Sequence, residues 1–277
     1  MSVQVENPLQ QENSPDQAVY PQSCPVCDIQ TSYVYKINEA KEGLVSTWYK
    51  CQCGIIFQEK VPEHSEYNEQ YIMDYAGMKE CKPRMTHAAR IYIPLIEELT
   101  YGRQMLDVGF CVPHVIDYLD ERGWVTYGID NNADFKGKGN LYKGNFLTYD
   151  FNIPATTPDL KALADGDYFE RKFDLIWMSH IFEHFNDPIA ALRKAHSLLS
   201  ESGVIYIATP DIEFINKTGV GGYGHWKAKE HYTLWSEAAL KRELERIGFK
   251  IVMSRRNFSS RFSSWYDVQI IAQKNYF

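Results

Sequence analysis

The chain has 277 residues, 44% of them hydrophobic, and a formal net charge of −7. That acidic balance disfavours a protein that tracks a nucleic-acid backbone, which needs clustered Lys and Arg. No apolar run approaches the roughly 18 residues that span a bilayer, and the N-terminus lacks the regions of a secretory signal, so a cytoplasmic protein is expected.

Residues 1–20, rich in Gln, Asn, Glu, Ser and Pro, hold too little apolar surface to order themselves and read as a flexible tail. Chemistry begins at Cys24-Pro25-Val26-Cys27, answered by Cys51-Gln52-Cys53-Gly54 after a run of aromatic and β-branched residues. Four of the six cysteines thus lie in two tight pairs, without a secretory signal, and this favours tetrahedral zinc over disulfides. Residues 21–61 are therefore expected to form a zinc-ribbon-like module in which Cys24, Cys27, Cys51 and Cys53 hold one structural Zn2+. A metal-free remnant and a redox pair are the competing readings, and His64 is a substitute ligand for the short Cys-x-Cys knuckle. Four protein ligands leave no open position, so such a zinc braces the module without doing chemistry. Cys81 and Cys111 stand alone and read as buried thiols.

Residues 62–100 read as a helical connecting and cover segment. Tyr67, Tyr71 and Tyr75 recur at i, i+4, i+8, a stripe that either packs on a neighbour or caps a pocket, and Pro94 kinks or starts a helix.

From residue 101 to residue 277 strands and helices alternate. Strands are expected near 104–109, 124–130, 141–145, 173–179, 203–209, 249–254 and 267–274, with helices near 112–122, 187–199 and 236–247. The pattern predicts an α/β fold, Rossmann-like, with a doubly wound and mostly parallel sheet. Met105 to Asp130 reads as strand, turn, helix, strand with one glycine, Gly109, at the turn. A dinucleotide site wants Gly-x-Gly-x-x-Gly, and here Cys111 and His114 hold the other two positions. Asp107, two residues before Gly109, is awkward beside phosphates and suits an ammonium group. S-adenosyl-L-methionine carries an ammonium and no phosphate, and is the expected cofactor. Asp130 ends the second strand 130 − 109 = 21 residues past the glycine, near the interval of about 20 at which an acid meets ribose hydroxyls. Phe110, Asn131 and Ser179 fall at the same strand ends and are counted in the cofactor crevice.

Two further groups carry chemistry. His180, Glu183 and His184 share a face if the segment after Ser179 is helical. Glu230-His231 follows a Gly219–Gly224 stretch that reads as a lid, with His225 and Trp226 beside the acceptor.

The chain here resembles the class I S-adenosylmethionine-dependent methyltransferases over residues 101–277. Asp107 and Gly109 match the family's first motif, with Cys111 and Pro113 where its second and third glycines stand. Phe173 to Ser179 matches the fourth strand, and Ser202 to Pro210 and Glu230 to Ser236 follow in the family's order. The resemblance implies that Asn145-Phe146 meets the adenine and that Glu230 orients His231 as a general base, with His184 next in line. Ubiquinone-biosynthesis members further imply a divalent ion near His180, Glu183 and His184, and sugar methyltransferases imply a zinc module lying against the substrate mouth. Methyl transfer asks the protein to align a nucleophile, exclude water and remove one proton. Ser179-His180-Ile181-Phe182 stands where amino-methylating enzymes place Asn/Asp-Pro-Pro-Tyr/Phe. The expected reaction is therefore methylation of an oxygen or carbon on a small acceptor, a sugar, a sugar nucleotide or another hydroxylated molecule. A zinc-bearing ribosomal-RNA methyltransferase and a catalytically degenerate cofactor-binding scaffold are the alternatives.

Overall fold

The computed structural model describes residues 2–6, 21–39, 44–59, 81–131, 137–151, 172–257 and 266–275. In chain order these form β1 (Ser2–Glu6), β2 (Gln22–Ser23), β3 (Gln30–Thr31), β4 (Val34–Glu39), β5 (Leu44–Lys50), β6 (Ile55–Gln58), α1 (Cys81–Leu99), β7 (Gln104–Val108), α2 (His114–Asp120), β8 (Val125–Asp130) and β9 (Asn140–Lys143). They continue with β10 (Phe173–Ser179), α3 (Pro188–Leu198), β11 (Leu199–Pro210), α4 (Ile215–Thr218), β12 (Thr233–Trp235), α5 (Glu237–Ile247), β13 (Phe249–Asn257) and β14 (Asp267–Lys274).

Seven strands make the central sheet, ordered β13-β14-β11-β10-β7-β8-β9. β9, β8, β7, β10 and β11 run parallel, and β14 is antiparallel to both its neighbours. The expected doubly wound sheet is borne out. Its strands are buried on both faces and so read as nearly unbroken apolar runs. Leu175, Trp177, Val204 and Tyr206 join α1 and α2 on one face, while Ile176, Met178, Ile205 and Ile207 join α3 and α5 on the other. From β7 the chain winds outward through β8 and β9, then returns to β10 on the opposite side of β7. That reversal places the switch point of the sheet at the C-terminal ends of β7 and β10, the position at which ligands of such sheets bind.

The caps follow the sequence. Asp187 accepts the Ala190 amide at 2.8 Å to start α3, Ser236 accepts the Ala239 amide at 3.2 Å to start α5, and Gly248, at φ +110°, ends it. Pro94 lies inside α1.

Two strand pairings bear on the expected division of the chain. Ser2–Glu6, placed in a flexible tail, pairs antiparallel with β4 from Ser2↔Asn38 to Glu6↔Val34. The rest of that tail, 7–20, lies outside the described residues, as does most of the cover segment, including His64, Tyr67, Tyr71 and Tyr75. A second pairing crosses the expected boundary near residue 61. β1, β4, β5, β6 and β12 form one five-stranded antiparallel sheet, so the cysteine module shares a sheet with residues 233–235. β6 is buried at all four positions, and an apolar strand of that kind does not stay at a bare edge.

Candidate active site

The turn after β7 is shaped by its glycine. Gly109 has φ +70° and donates its amide to the Ile129 carbonyl at 2.8 Å, and a Cβ added there would sit 2.5 Å from the Ile181 side chain. Cys111 also adopts a left-handed conformation, φ +53°, where the resembling motif carries its second glycine. Its amide donates to Asp130 Oδ2 at 3.0 Å, tying the turn to the end of β8. Asp107 is buried between Gly128 and Trp177 in the sheet register. Burial, and then the neighbouring Asp130 carboxylate, push its pKa well above the usual range. No cation pairs with it among the described residues, so a ligand carrying an ammonium group offsets both effects.

The other expected cofactor residues are placed as follows. Ser179 is half-buried at the end of β10 and Asn131 is exposed just past β8. Phe110 turns its ring into the core against Gly128, leaving its backbone to the turn. Asn145 Oδ1 accepts the Leu147 amide at 2.8 Å, so its side chain is engaged in a local turn, and Phe146 packs against Phe151 and Phe185.

Two motifs separated in the sequence meet in space. The segment after Ser179 is a single 3-10 turn, Phe182–His184, where a shared face of His180, Glu183 and His184 asked for a helix. Pro188 biases Asp187 toward extended backbone and restarts the chain as α3. Glu183 is fully buried, with Oε1 3.9 Å from His184 Nε2, 3.9 Å from His231 Nε2 and 3.6 Å from His180 Nδ1, while Oε2 accepts from the Thr209 hydroxyl at 2.9 Å. His180 stands at φ +55° and reaches Asp267 Oδ2 with Nε2 at 3.3 Å. His231 Nδ1 lies 3.0 Å from the His225 carbonyl, which only accepts, so Nδ1 carries the hydrogen and Nε2 presents a lone pair to Glu183 and His184. Glu230 was expected to orient that ring. Its carboxylate lies 2.8 Å from Lys227 Nζ, and the His225 carbonyl also holds the imidazole.

Charge is divided unequally across this cluster. Burial opposes a charged His180, but Asp267 and Glu183 outweigh it and push the pKa to about 10. Burial likewise opposes a charged Glu183, and His180, His184 and His231 outweigh it, so the carboxylate stays ionised. Burial drives His231 well below its ordinary value and His225 down to about 4. Ile181, between His180 and Glu183, packs on Gly109 and sets the cluster beside the turn after β7.

The four module cysteines also converge. Cys24 and Cys53 sulfurs lie 3.6 Å apart, those of Cys27 and Cys51 3.5 Å, and all four fall within 4.8 Å of one another. These are far from a disulfide's roughly 2.05 Å. The Val26 amide approaches Cys24 Sγ and the Cys53 amide approaches Cys51 Sγ, each at 3.5 Å. Gly54, at φ +93°, lets this turn press onto α5, since a Cβ there would meet Ser236 Oγ at 2.7 Å.

Sequence reasoning missed Thr209, Gln58, Tyr223 and Asp267. The Gln58 side-chain amide donates to the carbonyls of Ala228 and His231. Thr209 and Tyr223 lie within stretches the sequence singled out, but the contacts of all four are tertiary and no local spacing announces them.

Residues 84–254 match the profile of a family described as a methyltransferase domain. The chain belongs to this methyltransferase family. The methyltransferase is 27% identical over 112 residues to a ubiquinone biosynthesis O-methyltransferase of Vibrio campbellii, a match covering 39% of this chain and 44% of the relative's length. Its fold resembles a SAM-dependent methyltransferase of Archaeoglobus fulgidus (22% identity, TM-score 0.51, 75% of this chain and 100% of the other). It also resembles a chain in the complex of the Haloferax volcanii Trm112 methyltransferase activator with a methyltransferase (13% identity, TM-score 0.54, 79% and 99%). The chain thus carries a methyltransferase domain with the fold of these enzymes. No helix among the described residues is long and apolar enough to cross a membrane.

Proposed function

We propose that this methyltransferase transfers the S-adenosylmethionine methyl group to a hydroxyl of a small acceptor, a sugar or another hydroxylated molecule. The observation that carries the reading is the convergence of Glu183, His184 and His231 beside the Gly109 turn. Asp107 takes the methionine ammonium and Asp130 the ribose hydroxyls. An acceptor oxygen attacks the sulfonium methyl, the carbon–sulfur bond breaks with its electron pair left on sulfur, and the hydroxyl proton passes to His231 Nε2. The His225 carbonyl fixes the tautomer this needs, and Glu183 faces the imidazolium that results. His231→Ala is expected to spare cofactor binding and slow S-adenosylhomocysteine formation by about 10²- to 10⁴-fold. Unchanged turnover in that variant moves the base elsewhere.

A second reading of the same atoms is favoured by their bracing. Ligand atoms of Glu183, His184 and His231 lie within 4.8 Å of one another. The His225 carbonyl supports His231 from behind and the Thr209 hydroxyl supports Glu183, the outer-shell pattern of metal ligands. A divalent cation held there would lower the pKa of a bound hydroxyl. Turnover that survives chelation supports the imidazole base, and turnover restored only by added Mg2+ or Zn2+ supports the cation.

The module cysteines fit structural zinc. Sulfur separations of 3.5 and 3.6 Å approach the edge of about 3.8 Å for a tetrahedron with 2.3 Å zinc–sulfur bonds. Metal analysis is expected to give one zinc per chain, lost in Cys24→Ser.

A further inference from the structure

Gln58 ends β6, the strand that leaves the turn of Cys51 and Cys53, and only 7% of it is exposed. Its backbone amide donates to the Tyr232 carbonyl at 3.0 Å. Its side-chain amide donates to the Ala228 carbonyl at 2.9 Å and to the His231 carbonyl as well. Both side-chain partners are carbonyls, which only accept, so Nε2 with its two hydrogens faces them and the amide has a single orientation.

The stretch held in this way is the one that aims His231. The Glu230 and His231 amides donate back to the Lys227 carbonyl at 3.0 and 2.8 Å, and His231 Nδ1 reaches the His225 carbonyl in the same turn. On the far side the Tyr232 amide donates to the Glu183 carbonyl at 2.8 Å. His231 is therefore fixed between two anchors from distant parts of the chain, Gln58 at its own carbonyl and Glu183 at the next amide. The pairing of β6 with β12 is a backbone ladder, and the other residues of β6, Ile55, Ile56 and Phe57, are apolar. A buried amide adds nothing to that ladder and loses its hydration, a cost that its bonds to Ala228 and His231 offset. Fixing those two carbonyls is what the side chain does here.

We propose that Gln58 is a positioning residue for His231, so that the cysteine module supplies part of the active site. The proposal rests on His231 being a working group and holds for either reading of it, since a proton-accepting imidazole and a metal-binding one both need Nε2 free and Nδ1 protonated. Gln58 acts through the backbone of His231 and moves no proton itself. Such support matters because a displacement of about 1 Å in a reacting group costs about 10²-fold in rate.

Nuclear magnetic resonance of the full-length protein, labelled with nitrogen-15, tests this, with the His231 ring identified by its loss in His231→Ala. In the wild type the ring is expected as a single Nδ1–H tautomer, and the Gln58 side-chain hydrogens are expected to exchange with solvent as slowly as the Tyr232 amide. Gln58→Met keeps the length of the side chain and removes both donors. It is expected to turn the ring signal into a mixture of both tautomers and to speed exchange of the His231 and Tyr232 amides about tenfold or more, while His196 on α3 keeps its signal. A merely structural role predicts a lower Tm with the His231 tautomer unchanged, or a change at His196 as large as that at His231, and either result overturns the proposal. Exchange of the Gln58 side-chain hydrogens at the rate of an exposed amide in the wild type also overturns it, whether or not Gln58→Met folds. Failure of the underlying reading shows separately, as wild-type turnover in His231→Ala while the tautomer still depends on Gln58.

Discussion

Cys111 holds a left-handed backbone conformation at φ +53°, which a side chain with a Cβ pays for by about 1–2 kcal/mol. A glycine there removes that strain but costs about 0.5–1 kcal/mol in unfolded-chain entropy. Cys111→Gly is therefore expected to be neutral to about 1 kcal/mol stabilising, and Cys111→Val clearly destabilising. Urea denaturation checks this, and a glycine variant weaker than wild type contradicts it. Gly109 behaves oppositely, because its φ of +70° coincides with contact to Ile181. The sequence made Gly109 and Asp130 readable, since a turn glycine and a strand-end acid sit at a fixed interval. Asp267 was not readable, because its partner His180 is 87 residues away (267 − 180) and no local pattern links them.

Among the elements, β7, β8, β10, α3 and α5 emerge close to where periodicity and caps placed them. The turn at Phe182–His184 does not, since three residues give no helical period. β12 was also hidden. It has three residues and exists because β6 supplies its partner. α3 carries His196, which packs edge-on against Phe249 at 5.0 Å, and burial lowers its pKa. The unfolded chain takes up a proton near pH 6.5 that the fold resists, so this contribution to stability is lost as pH falls below about 6.5. His114, His225 and His231 act in the same direction and His180 in the opposite one. Denaturant midpoints at pH 7.5 and 5.5 are expected to differ less in His196→Gln than in wild type. An identical pH dependence would remove His196 from the account.

The cysteine hairpins and the catalytic sheet each follow from composition and period, yet their union does not, because it depends on an edge pairing between residues 55–57 and 233–235. Through that seam Gln58 grips the carbonyls of Ala228 and His231. Two consequences follow for the assembled chain. If the four cysteines hold zinc as proposed, stripping it is expected to lower both Tm and turnover while cofactor affinity survives, since the Gly109 turn lies on another sheet. Turnover that persists after complete metal removal, measured as S-adenosylhomocysteine release, would separate the module from the active site.

The proposed reaction requires a cofactor held over Gly109 by two acids, and calorimetric titration with S-adenosylmethionine addresses that directly. Wild type and His231→Ala are expected to bind one equivalent with similar affinity, and Asp107→Asn to bind at least about tenfold more weakly, a loss of roughly 1.4 kcal/mol. Absence of heat with the wild type, or equal affinity in Asp107→Asn, would contradict the placement of the cofactor.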